Sequence, residues 1–457
     1  MTTPIYDFVR RYADSDTVRM HMPGHKGSGF LGHKGSGFLG CEPCDLTEIA
    51  GADELFAPAG IIAESEANAS RCFGCTTLYS AEGSSLCIRA MLYLAVRDAV
   101  RRGKKPVIAA ARNVHRTFLT AAALLDFEIL WLPQTSADGY LRCTVTPERL
   151  TELWENAPEK PSALYLTSPD YLGNLTDIRA AADFCHAHDM LLLTDCAHGA
   201  YLHWVGSSLH PVTLGADLCC DSAHKTLPVL TGGAYLHISD DAPRAFFREA
   251  RAALAMFAST SPSYLILASL DRCNRWLNDE AAARISETAE SVRVCREMLT
   301  LHGWQLAGDE PLKLTVMPKS CGWLGTELAD YLRRNGIECE FADPDHLVLM
   351  PGCTQGRDAM RRVTQALLSA ERRPPVTVRP PVLPLPERVM HPRAVMLAET
   401  AVIPAAESAG RICAEMTVSC PPAVPLVMTG ERIGADAPAC FAYYGVEKIS
   451  VVISPVD

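Results

Sequence analysis

The sequence predicts an α/β fold: a mostly parallel sheet with helices on both faces, then a smaller α/β domain and a C-terminal domain. Two patterns carry this expectation. Short apolar runs at 107–110, 128–132, 163–167, 191–195, 216–220 and 233–238 read as strands, and helical stretches such as 178–188 lie between several of them. Ala281 to Leu301 then reads as one long amphipathic helix, with Ile285, Val292, Cys295 and Leu299 on one side. It opens a second, smaller series with strands near 312–317, 338–341 and 346–350. Pro374-Pro375 to Pro386 reads as an extended, proline-rich linker. The expected organisation is an N-terminal arm at 1–45, a large domain at 46–270, a small α/β domain at 271–372, the linker at 373–386 and a C-terminal domain at 387–457.

Composition bounds the function. The chain has 457 residues, enough for roughly three domains, and its 48% apolar content suits a globular enzyme. A net charge of −11 argues against a general nucleic-acid binder and mildly favours the approach of cationic small molecules. No apolar run is long enough to span a bilayer, and Met1 to Arg11 does not read as a signal peptide, so a cytoplasmic location is expected. The 18 cysteines are scattered, many in apolar runs, and read as reduced buried thiols. Cys41 with Cys44 and Cys72 with Cys75 would make a four-thiolate zinc site if paired in space. We expect no metal there.

The chemistry is concentrated at Asp221-Ser222-Ala223-His224-Lys225-Thr226, just after an apolar run. A lysine so placed, flanked by hydroxyls, can form a Schiff base with an aldehyde cofactor while the hydroxyls hold a phosphate; pyridoxal phosphate requires that arrangement. Upstream, 191–195 reads as a buried strand ending in Asp195. A carboxylate at the C-terminal end of a parallel strand points into the ligand crevice of such sheets, where it can keep a pyridinium nitrogen protonated. Its plainer reading is a helix N-cap. Glu82-Gly83-Ser84-Ser85 precedes an apolar helical segment, and free N–H groups at a helix start favour a phosphate. Arg112-Asn113-Val114-His115 follows another apolar run, and the imidazole could stack on a flat ring or simply face solvent.

These residues, with others from end to end, resemble the Orn/Lys/Arg decarboxylase family of fold type I pyridoxal-phosphate enzymes. The resemblance is carried by His21-Met22-Pro23-Gly24-His25-Lys26-Gly27, Asp45-Leu46-Thr47-Glu48, Gly83-Ser84-Ser85, Arg112-Asn113 with His115, and Asp195 with Ala197-His198-Gly199-Ala200. It continues through Ser222 and His224-Lys225-Thr226, Thr260-Ser261-Pro262-Ser263-Tyr264, Gly410-Arg411-Ile412, Pro421-Pro422 and Gly430-Glu431. It implies that residues 46–270 bind the cofactor and that Lys225 carries it. Asp195 would pair with the pyridine nitrogen, and His115 would stack on the ring. Ser84, Ser85 and Ser222 would hold the phosphate with His224 nearby, and His198 would lie near the ring or the substrate carboxylate. Thr260 and Ser261 would reach the site, or that of a neighbouring subunit in a homodimer or larger homo-oligomer. The implied reaction is decarboxylation of a basic L-amino acid (arginine, lysine or ornithine) to an amine, as in polyamine biosynthesis. Asp53, Glu54 and Asp170 are candidates to meet a basic side chain.

Several positions depart from the family pattern. Cys196 stands where glutamate is common, Tyr201 where histidine is frequent, and Glu82 where asparagine is usual. Cys420 and Ala423 alter a proline-rich stretch, and Thr231-Gly232-Gly233 lacks a frequent glutamine. Residues 24–31 recur as an identical tandem copy at 32–39, an extra glycine-rich unit. These departures leave open another reaction on the same scaffold, an aminotransferase or lyase, or a cofactor-binding protein with little turnover.

Overall fold

A computed structural model describes residues 1–27, 39–133, 143–419 and 425–454. Most of the tandem repeat, together with Cys420, Pro421, Pro422 and Ala423, lies outside the described residues.

A seven-stranded sheet forms the larger part. Its strands are β1 (Thr76–Ser80), β2 (Val107–Ala110), β3 (Glu128–Trp131), β4 (Ala163–Thr167), β5 (Leu191–Asp195), β6 (Leu218–Asp221) and β7 (Ala234–Ile238), in the order β1-β7-β6-β5-β4-β2-β3. β2 pairs in parallel with β3 and β4, and β5 with β6, whereas β7 runs antiparallel to β6 and β1. β2, β5, β6 and β7 are buried along their whole length, which is why they read as continuous apolar runs and not as alternations. The helices α1 (Pro4–Ala13), α2 (Ile61–Phe73), α3 (Ser84–Arg101) and α4 (Arg116–Leu125) precede or connect the first strands. Gly74, in the left-handed region at φ 68°, ends α2 and turns the chain into β1.

Two differences from the sequence reading stand out. β1 escaped it because Thr76, Thr77 and Ser80 make it half polar. β6 runs on to Asp221, so Cys219 and Asp221 share one face of the sheet.

The chain divides into two compact units built from interleaved segments: Met1–Leu94 with Leu193–Ser286 and Gly352–Thr354, and Ala95–Leu192 with Glu287–Pro351 and Gln355–Asp457. In the first, Asp271 accepts hydrogen bonds from Tyr6 N–H and Ser65 Oγ, fixing the start of α1 against helix Tyr264–Asp279. In the second, a four-stranded sheet of β8 (Gln305–Ala307), β9 (Leu314–Met317), β10 (Phe341–Ala342) and β11 (Leu347–Leu349) has the order β10-β11-β9-β8. Val292, Cys295 and Leu299 of helix Ala281–Leu301 pack into its core with Trp304, Leu314, Val316 and Leu347, as the apolar stripe predicts. Two further ladders, Glu399–Pro404 with Lys448–Ser454 and Thr417–Ser419 with Pro425–Met428, enclose a separate core that includes Cys413, Val427, Phe441 and Val451. Lys319 joins this region to the four-stranded sheet: its Nζ lies 2.6 Å from Asp345 Oδ1, and Tyr443 OH bonds to the same oxygen at 3.0 Å.

The described cysteines are all free thiols, and most are buried. Cys44 Sγ lies near Arg10, Cys72 Sγ near the Asn274 carbonyl, and Cys75 Sγ near Thr77 and His237, so the thiols of the two Cys-x-x-Cys pairs go to different partners. Among the described residues no helix is long and apolar enough to cross a membrane.

Candidate active site

Lys225 sits in the one-turn helix Ala223–Thr226, immediately after β6. Its side chain is exposed, and its Nζ lies 3.1 Å from His198 Nε2. His198 is buried and follows the end of β5. Asp195, the last residue of that strand, is also buried, and its carboxylate accepts the Ala197 N–H at 3.1 Å. Parallel pairing of β5 with β6 therefore brings the carboxylate, the imidazole and the amine to one end of the sheet.

A hydroxyl pair lies beside them. Ser222 Oγ donates to Ser84 Oγ at 2.7 Å, joining the end of β6 to the first residue of α3. Ser85, half-buried, is the next residue of α3. Gly83, at φ 75°, turns the chain into the helix, and its N–H donates to the Gly232 carbonyl at 2.7 Å. Glu82 accepts the Ser259 N–H at 2.7 Å. His224 donates from Nδ1 to the Gly233 carbonyl at 2.9 Å. A Cβ on Gly233 would collide with Val229, so this position needs glycine for close approach. Thr260 and Ser261 lie in the exposed link between helices Arg244–Phe257 and Tyr264–Asp279, and Ser261 N–H bonds to Ser259 Oγ at 3.1 Å.

The second unit holds the segment with His115. This residue caps α4: its Nδ1 accepts from Thr117 N–H at 3.3 Å and lies 2.8 Å from Thr117 Oγ1. An accepting Nδ1 leaves the proton of a neutral ring on Nε2. Just before it, Arg112 is buried and makes two bonds to Glu431, at 2.5 and 3.1 Å. Asn113 is buried as well, and its Oδ1 has no hydrogen-bond partner.

Two of the candidate substrate acids, Asp53 and Asp170, accept backbone N–H groups. The Asp53 carboxylate accepts N–H groups of Ala59, Gly60 and Ile62 at the start of α2. Burial would raise its pKa, but those backbone donors hold it below the usual carboxylate range. Asp170 is buried, and it closes its own turn by accepting from Leu172 N–H and Asn174 N–H. Burial pushes its carboxyl up, against the hydrogen bonds from Asn174. Glu54 is exposed.

An amine beside an imidazole, a buried carboxylate at a strand end and paired hydroxyls at a helix start together suit an anionic, aldehyde-bearing cofactor. Thr226 Oγ1, next to Lys225, is buried without a partner and adds one unused polar atom to that end of the sheet. The sequence matches the family description "Orn/Lys/Arg decarboxylase, major domain" over residues 3–307, and "Orn/Lys/Arg decarboxylase, C-terminal domain" over residues 380–449. The chain belongs to the Orn/Lys/Arg decarboxylase family. Pyridoxal phosphate is the cofactor of this family, and the residues above fit it.

Relatives within reach of the family span nearly the whole chain. An arginine decarboxylase of Bacillus subtilis (strain 168) is 29% identical over 459 residues, covering 94% of this chain and 91% of that protein. The uncharacterized protein YaaO of the same organism is also 29% identical, over 99% of this chain and 95% of its own length. The crystal structure of the Francisella novicida lysine decarboxylase superimposes with a TM-score of 0.77 at 17% identity, covering 98% of this chain and 81% of that one. That likeness establishes the fold type I architecture of this family member. Against the family pattern, Cys196 and Tyr201 are both fully buried. The sequence reading did not find Asp221 as a structural centre, although two buried histidines, His210 and His237, bond to its carboxylate at 3.0 Å. The Cys219-x-Asp221 alternation within a strand was the available signal.

Proposed function

We propose that this family member decarboxylates a basic L-amino acid, arginine, lysine or ornithine, releasing the corresponding amine and CO₂. The observation that carries the reading is Lys225 Nζ at 3.1 Å from His198 Nε2, at the end of the sheet where Asp195 closes β5. Pyridoxal phosphate, when bound, supplies the electron sink that lets the Cα–carboxylate bond break.

The chain's own residues do the rest. Lys225 anchors the cofactor through its amine. Ser84, Ser85 and Ser222 bind the phosphate at the start of α3, and His224, fixed by Gly233, stands beside them. Asp195 keeps the ring nitrogen protonated, because a buried carboxylate favours a cationic partner. The family resemblance assigns His115 to the cofactor ring. Thr260 and Ser261 complete the site, in the same subunit or in a second copy of the chain. Lys225 and His198 are within one hydrogen bond of each other and can pass a proton between them, so either delivers it to Cα after CO₂ departs. We place the enzyme in the cytoplasm, as a homodimer or larger homo-oligomer, in polyamine biosynthesis.

Mass spectrometry of products tests the proposal. Purified protein with pyridoxal phosphate is incubated with arginine, lysine, ornithine and a panel of neutral and acidic amino acids. Agmatine, cadaverine or putrescine is the expected product. A keto acid in place of an amine would overturn decarboxylation.

A further inference from the structure

The face of β5 and β6 that carries Cys196, Cys219 and Asp221 holds a second cluster. The strand register pairs Thr194 with Cys219 and Asp195 with Cys220, so Asp195 and Cys220 fall on one face and Thr194, Cys219 and Asp221 on the other. Cys196 follows Asp195 directly, and Asp221 directly precedes Ser222.

We propose that Cys196, His210, Cys219 and Asp221 form a buried structural zinc site. One ligand atom from each lies within 4.8 Å of the others, and all four residues are fully buried. His210 Nε2 is 3.2 Å from Asp221 Oδ1, and Cys219 Sγ is 3.9 Å from the same oxygen. A tetrahedral zinc with bonds of about 2.0–2.3 Å sets its ligand atoms about 3.3–3.8 Å apart. The two measured edges therefore match that polyhedron within a few tenths of an ångström.

The donor types and their surroundings agree. Two thiols with one imidazole select zinc over magnesium or calcium, which take oxygen ligands. Four protein ligands with no open position make a structural and not a catalytic site. A supporting layer is already in place: His237 Nε2 lies 3.0 Å from Asp221 Oδ2, and its Nδ1 is 3.0 Å from Thr77 Oγ1. Such outer hydrogen bonds orient a ligating carboxylate. The zinc would clamp the ends of β5 and β6, from which Asp195 and Ser222 project, and act on the reaction only by positioning them. Cys196, where glutamate is common, supplies the second thiolate.

Zinc content of the holoenzyme, grown with zinc and passed through chelator, is the test. About one zinc per folded chain is expected, falling at least tenfold in Cys196→Ser/Cys219→Ser. Should that variant fail to fold by circular dichroism, the wild-type chain grown with cobalt decides: a thiolate-to-cobalt charge-transfer band supports the site, and its absence overturns it. Folded wild-type protein with less than about one-tenth zinc per chain would mean a network held by hydrogen bonds alone. Full zinc retained by the folded double variant would place the metal elsewhere. Either result overturns the proposal.

Discussion

Arg112 and Glu431 form a buried two-bond ion pair, at 2.5 and 3.1 Å, between the segment leading to His115 and the C-terminal domain. Glu431 Oε2 also accepts the Met428 N–H at 2.8 Å, so the carboxylate is held in place before it meets the guanidinium. Paired donors of this kind fix orientation as well as distance. Glu431→Gln leaves a buried arginine without its counter-charge and is expected to cost about 3–5 kcal/mol, read by denaturant unfolding. An unchanged unfolding midpoint would show that the pair carries no stability.

The hydroxyl pair predicts cofactor affinity. Ser222→Ala and Ser84→Ala should each weaken pyridoxal phosphate binding by roughly 10- to 150-fold, since a hydrogen bond to a charged group contributes about 1.5–3 kcal/mol. The double variant should lose less than the sum, because each hydroxyl holds the other at 2.7 Å. Absorbance titration of the cofactor checks this. Wild-type affinity in both single variants would put the phosphate elsewhere.

Lys313 and Glu310 form an ion pair at 2.9 Å, each about 1% exposed. Lys313 Nζ also donates to the Asp170 carbonyl at 3.1 Å. Glu310→Leu alone should cost about 3–5 kcal/mol, by stranding a buried ammonium. Glu310→Leu/Lys313→Met should recover most of that loss. Chemical denaturation of the three proteins gives the comparison, and a double variant no better than the single one would contradict it.

Asp271 predicts a pH dependence. Burial pushes its carboxyl up to about 6, against hydrogen bonds from Ser65 and the backbone of Tyr6 and Ile5. The unfolded value is near 3.9, so the folded chain holds this proton more tightly through the window between about 4 and 6. The resulting stability is complete below about 4 and is lost as pH rises through 6. Asp271→Asn, which keeps the shape without the charge, should therefore gain about 2–3 kcal/mol relative to wild type between pH 4 and pH 8. Melting temperatures of both proteins across that range test it, and parallel curves would exclude it.

Much of the sheet was legible because parallel strands are apolar on both faces. β2, β4 and β5 appear at their expected positions, and so does helix Ala281–Leu301. β1 was not legible: it is half polar, contains buried Thr77 and Ser80, and pairs with β7, distant in sequence. For the site, the Lys225 run and Asp195 could be read as chemistry at strand ends. The contact between Lys225 and His198 depends on strand pairing, which residue order alone does not set. Asp53 was not legible as a backbone acceptor, because a short side chain in a loop suits a substrate ligand and a helix cap equally; its carboxylate takes N–H groups at the start of α2.

The interleaved units bear on biosynthesis. The first is made of Met1–Leu94 and Leu193–Ser286, with about 100 residues of the second between them. At about 5–20 residues per second a ribosome spends roughly 5–20 s on that stretch while β1 still waits for β7. During this interval the apolar faces of α2 and α3 have no sheet to cover them, and contacts so distant in sequence form slowly. A nascent chain stalled before Ala234 would therefore be a client for chaperones, and the yield of soluble enzyme should follow chaperone supply more closely than its final stability.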